Sequence, residues 1–219
     1  MDDNHRQQLE QLLLANARML TPPSPMSSLT FEDCRTLLLI DESINEDSFH
    51  YFKFHTTVYD LFDAEAMNRK SAVKKQSVAS ILEEARFQLV YAMKYGKVLV
   101  IRMGYSMVDF KYTYCDEECP ELTTNERHAP YQQLSYLPRS TLLYSGQHLK
   151  QPMYVQTLFR RYDKFEFGES NEPVTCHKDF KIIITTRVLA DRINDFYFNY
   201  RYGLPGDRSY YNLVRYPFK

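Results

Sequence analysis

Two apolar runs end in residues that could stand beside a bound ligand. TLLLID closes on Asp41 and FKIIITT closes on Thr185 and Thr186. Carboxylates and hydroxyls at strand ends stand where open α/β sheets hold their ligands, although such hydroxyls also serve as strand-end caps. A nucleotide site there would need G-x-x-x-x-G-K-[ST] after the first run, because backbone N–H groups must wrap the phosphates and a lysine must reach the terminal ones. The chain continues instead as ESINEDSFHYFK, without glycine and with Glu42, Glu46 and Asp47 where phosphate needs positive potential. A hydrolase would also place acids after its second key strand to hold Mg²⁺. Here KVLVI is followed by Arg102, a cation that repels the metal. Gly96-Lys97 ends a helical period and opens a strand, the reverse of a phosphate loop, and G-x-G-x-x-G is absent.

Metal chemistry has a weaker basis. Cys115 and Cys119, with His128 nearby and Cys176-His177 downstream, can be assembled on paper into a zinc site. Neighbours on a strand face opposite ways, so Cys176 and His177 chelate poorly together, and free reduced thiols are the default. No local signature marks Cys115 as a nucleophile. The tail interleaves Tyr197, Tyr200, Tyr202, Tyr210, Tyr211 and Tyr216 with Arg192, Arg201, Arg208 and Arg215. With 27 Lys plus Arg against 28 Asp plus Glu and a formal charge of -1, these rings read as cover for a sheet edge or as a protein interface. Nucleic acid is not expected as a partner.

The elements that must position these residues follow from periodicity. A length of 219 residues with 44% hydrophobic and 25% charged residues fits one globular core, and no apolar run approaches the ~20 residues of a membrane span. The start is acidic and then amphipathic, unlike a secretory leader, which leads us to expect a cytoplasmic protein without membrane contact. Leu9, Leu12, Leu13, Ala17 and Leu20 repeat at helical spacing, so residues 1–20 read as an appended amphipathic helix. Residues 21–30 are a Pro/Ser-rich linker, and 31–219 form the core. Buried strands are expected at Thr36–Asp41, His55–Leu61, Lys97–Met103, Phe180–Thr186 and Tyr210–Tyr216, with a small one at Phe165–Phe167. Val78, Ile81, Leu82, Ala85, Leu89, Ala92 and Met93 share one helical face that Gly96 closes as a left-handed cap. Thr141–Arg161 is partly helical, and 108–138 lacks periodicity and reads as an insertion. Strands alternating with helices predict an α/β layered fold with a mainly parallel sheet.

Three segments, in order, resemble one family. RTLLLIDES at Arg35–Ser43 is similar to the first strand of the fifth AAA+ module of the dynein heavy-chain ring, the ATP-binding dynein motor region. LVYAMKYGKVLVI at Leu89–Ile101 resembles that module's helix-to-strand passage, and VTCHKDFKIIITTRV at Val174–Val188 resembles its later strand. YYNLVRY looks like the strand that follows. The resemblance implies an AAA+ type, P-loop NTPase-like three-layer sandwich in a motor that hydrolyses ATP elsewhere in its ring. It implies a degenerate nucleotide crevice at Asp41, Thr185 and Thr186, the threonines matching a strand that faces the γ-phosphate in active relatives. ESINEDS replaces the family's Gln-Gly-Gln remnant, Arg102 replaces its acid, and no helical lid follows Tyr216. The expected function is therefore a non-catalytic module without cofactor, with protein partners in a microtubule or dynein assembly of the cytoskeleton or ciliary axoneme. Residual Mg-ATP binding, completed by a neighbour's arginine, and a zinc-stabilised binding module are the alternatives.

Overall fold

The apolar runs become strands of a single parallel sheet in a computed structural model. It describes residues 3–19, 35–73, 76–115 and 175–217, with nine single positions between 142 and 163. Among the described residues, β1 (Thr36–Asp41), β2 (Tyr59–Asp63), β3 (Val98–Arg102), β4 (Lys181–Thr186) and β5 (Tyr211–Tyr216) lie in the order β2-β3-β4-β1-β5. All four pairings are parallel, with Leu37 opposite Ile183, Leu38 opposite Leu213 and Val100 opposite both Leu61 and Ile183. Every residue of β1 is buried, as a central strand covered on both faces requires.

Side-chain alternation sends each strand into two cores. Leu37, Leu39, Val100 and Ile183 meet Tyr51 and Phe52 of α2 (Asp47–Phe54) and Leu9, Leu12 and Leu13 of α1 (Asp3–Met19). Leu38, Ile40, Ile101, Ile182 and Ile184 face the opposite way, onto α3 (Ala64–Val73) and α4 (Val78–Tyr95). The first helix is therefore a layer of the fold and not an appendage, because its three leucines close one sheet face. Val108, Phe110 and Tyr114, the start of the expected insertion, are buried in the second core. From residue 116 onward that insertion, the 21–30 linker, the Phe165–Phe167 strand and most of Thr141–Arg161 lie outside the described residues. No helix of the described residues is long and apolar enough to cross a membrane.

Local chemistry sets the element ends. Ser77 caps α4 by accepting from the Ser80 N–H at 3.2 Å. Gly96 ends it at φ 65°, and a Cβ there would lie 2.3 Å from the His177 ring, so glycine is needed for both conformation and space. The second strand begins at Tyr59 and not at His55. The latter terminates α2, and the N–H groups of Val58 and Tyr59 both donate to the His55 carbonyl in the turn that follows.

One buried charge pins α4 to a distant segment. Arg86 is fully buried and donates to both oxygens of Asp163, at 2.8 and 2.9 Å, and to the Leu158 carbonyl at 2.8 Å. Burial pulls the guanidinium pKa down, and its hydrogen bonds to Asp163 and Glu83 more than reverse it, leaving it raised. Removing one member of such a pair strands the other charge. Asp163→Ala should cost about 3–5 kcal/mol in urea unfolding, and Glu83→Ala, which removes a part-exposed carboxylate, less than about 1 kcal/mol. Equal losses would show that Asp163 is not the principal partner.

Candidate functional site: the crevice at the strand C-termini

The C-terminal ends of β1, β3 and β4 bring Asp41, Arg102, Thr185 and Thr186 together, with Ile40 opposite Thr186 and Arg102 opposite Thr185 in the ladder. The arrangement there turns on Asp41. Its buried carboxylate takes four donors: Oδ1 accepts from the Ser43 N–H at 2.9 Å and the Ser43 hydroxyl at 2.5 Å, and Oδ2 accepts from the Ser48 N–H at 2.9 Å and the Ser48 hydroxyl. Ser43 Oγ in turn accepts from the Asp47 N–H at 2.8 Å. Asp47 and Ser48 open α2, so the exposed donors of a helix N-terminus, which attract anions, are satisfied by this internal anion and the serine it orients.

The residue before the helix is also reassigned. Glu46 sits at φ 55°, ψ 55°, a left-handed conformation costing a side chain roughly 1–2 kcal/mol and open to glycine without that cost. Its side chain makes no cap. Instead, Glu46 forms a bidentate pair with Arg102 at 2.5 and 2.9 Å. Arg102 also reaches Asp63 at 3.1 Å and Glu65 at 2.7 Å, and its guanidinium lies 4.9 Å from the Phe49 ring centre. Hydrogen bonding to Glu46, partly opposed by burial, raises the Arg102 pKa. The cation expected to repel a metal thus serves as the hub that joins β3, α2 and α3.

The two threonines separate. Thr186 Oγ1 donates to the Gly104 carbonyl at 3.2 Å, accepts from the Val188 N–H at 3.1 Å and pairs with the Tyr197 hydroxyl at 2.6 Å. Burial raises the pKa of that phenol, so it stays protonated. Thr185 is buried too, and strand alternation turns it toward the other sheet face, with Ile183. They cannot jointly address one phosphate. Arg187, which the sequence did not single out, crosses the crevice: Nη2 donates to the Ser43 and Ile44 carbonyls at 2.9 and 3.3 Å, and the guanidinium stacks 4.8 Å over Tyr105.

The zinc candidates fare differently. Cys115 is buried, Cys176 is half-buried, and the His177 Nδ1 accepts from the Asp179 N–H at 3.2 Å within its own turn. Cys119 and His128 lie outside the described residues. Among the described residues no group of three His, Cys, Asp or Glu side chains could hold a metal. A groove of about 740 Å³ runs along α4, lined by Asp60, Phe87, Gln88 and Tyr91, away from the strand C-termini.

No protein family, curated protein or solved structure matches the chain.

Asp41→Ala removes the internal anion and leaves the α2 N-terminus open. The variant should lose about 1.5–3 kcal/mol, the worth of hydrogen bonds to a charged group, and inorganic phosphate should raise its melting temperature while leaving the parent unaffected. A phosphate response of the parent, or none in the variant, would contradict this assignment.

Proposed function

We propose that the chain is a dynein-related AAA+ module without ATPase activity, serving a structural or interaction role in a microtubule-based motor or ciliary assembly. One observation carries the non-catalytic part: the helix N-terminus that would receive a phosphate already holds the Asp41 carboxylate. A second anion placed there would meet like charge as well as spent donors. Arg102 supports the same reading, since its guanidinium, paired with Glu46, Asp63 and Glu65, puts a cation where Mg²⁺ would have to sit.

The fold is compatible with the resemblance. Read from the β5 edge, the sheet runs 5-1-4-3-2, with the first strand in its interior and the C-terminal end of that strand at the crevice. The dynein assignment, and with it the microtubule setting, rests on the three sequence segments. Residual ATP binding would require Asp41 and both serines to leave α2, and zinc stabilisation gains no support from Cys115 or Cys176.

Calorimetric titration with Mg-ATP tests the first part. We expect no saturable heat and no shift in melting temperature at cellular nucleotide concentrations. A binder at 100 times its Kd would gain about 2.7 kcal/mol of stability, and a shift of that size would overturn the reading. The assembly is tested separately, by asking whether the tagged chain co-fractionates with dynein heavy chains from ciliated cells. A pool that never does so would remove the motor setting and leave the sealed crevice standing.

A further inference from the structure

One edge of the sheet is β2, which is hydrogen-bonded to β3 alone. A single bond fixes the direction of its backbone groups. The Val98 N–H donates to the Val58 carbonyl at 2.9 Å, so in this parallel ladder Val58, Asp60 and Phe62 turn their N–H and C=O groups toward β3, and Tyr59, Leu61 and Asp63 turn theirs outward. Two further contacts agree with that parity. The Tyr59 N–H donates back to the His55 carbonyl at 3.0 Å, and Gln88 of α4 donates its side-chain amide to the Leu61 carbonyl at 2.7 Å. The Tyr59 carbonyl, the Leu61 N–H and the Asp63 N–H have no hydrogen-bond partner among the described residues. The opposite edge, β5, is less open: its Tyr216 carbonyl accepts from the Glu42 N–H at 2.7 Å, and Asn212 has a partner as well.

These outward groups border the groove of about 740 Å³ whose walls include Asp60 of β2 and Phe87, Gln88 and Tyr91 of α4. Strand alternation puts Asp60 on the same face as Phe62, which belongs to the core beneath α4. Every second side chain of a strand added beside β2 would therefore enter the groove. Tyr91 lines it as packed surface, 4.7 Å from the Tyr95 ring and with the Lys97 ammonium 5.0 Å over its own. Glu83 and Glu84 are engaged with Arg86 and Lys70. Asp60 is half-buried and accepts one hydrogen bond among the described residues, from the Gln88 amide at 3.2 Å. Burial raises its pKa, and the Gln88 hydrogen bond and the charge of Lys97 oppose that only in part.

We propose that the outer edge of β2 takes an extended segment of a partner protein as an added strand, with a lysine of that segment beside Asp60 and apolar side chains on the same face against Phe87 and Tyr91. Backbone pairing supplies the attachment, and the alternate side chains supply the selection. Opposite charges side by side on neighbouring strands stabilise such a pairing. A second copy of this chain is the poorer occupant, because its own β2, YDLFD, would bring further aspartates and no cation to Asp60.

The probe is fluorescein-labelled Thr-Val-Thr-Lys-Thr-Val-Thr, titrated with the full chain and followed by anisotropy, with amide exchange at Leu61 read in parallel. The Leu61 N–H should exchange freely in the chain alone and slow about tenfold or more at peptide saturation. N-methylation of the two threonines flanking the lysine, whose N–H groups face β2, should abolish binding. Methylation of the lysine and valine amides, which point away, should leave it unchanged. Glutamate in place of the peptide's lysine should weaken binding about fivefold, and Asp60→Asn should remove most of that difference. Leu61→Pro deletes an outward donor, leaves the β3 ladder intact and should prevent binding. Should that variant fail to fold, the methylated peptides and Asp60→Asn still decide. Undetectable binding up to about 1 mM peptide, equal binding with either set of amides methylated, or a lysine preference untouched by Asp60→Asn would overturn the proposal. So would a Leu61 amide already protected in the dilute chain, which then covers its own edge, or protection that grows with protein concentration, the mark of a second copy.

Discussion

The N-terminus of α2 presents backbone donors that must be satisfied, and in this chain the anion that satisfies them is covalently part of the preceding strand. Because Asp41 is the last residue of β1, its carboxylate is held at the crevice by the most buried strand of the sheet. Four hydrogen bonds then fix the loop of Ser43 to Ser48. With the cap supplied from seven residues back, Glu46 is released from capping and its side chain is free to meet Arg102. That pairing helps to hold β3 against α2 and offsets the left-handed backbone at Glu46. Arg187 closes the same loop from β4. A crevice that open α/β sheets use for ligands has become a knot of internal contacts.

The consequence is a local balance of charge at the crevice. Acids and bases at the C-terminal end largely cancel over short, partly buried distances, where salt screens them little. The folded core is held by its two hydrophobic layers, each fully buried leucine contributing about 1.5–3 kcal/mol.

The parts of this architecture that the amino-acid sequence discloses are those buried on both sides. TLLLID, KVLVIR and KIIITT are continuous apolar runs because central parallel strands have no solvent face, and α4 shows its period because one stripe packs on the sheet. By contrast, α2 begins with Asp47 and Ser48, which look like loop, and its cap comes from a strand residue outside the usual local signal. Edge strand β2 mixes polar and apolar residues, so sequence pattern alone draws its start toward the β-branched HTTV. The Arg86–Asp163 pair joins residues 77 apart in the chain, and no local pattern reveals such a partner. At the crevice, the missing glycines and the cation at Arg102 were legible. Asp41 as an internal anion, Arg187 as a strap and the opposite facing of Thr185 and Thr186 required the fold.

Amide hydrogen exchange at Ser48, read residue by residue with and without Mg-ATP, tests the central claim most directly. If the Asp41 carboxylate holds that N–H, it is strongly protected in the nucleotide-free protein and Mg-ATP leaves its exchange rate unchanged. An amide that exchanges freely alone and becomes protected only when Mg-ATP is added would contradict the account.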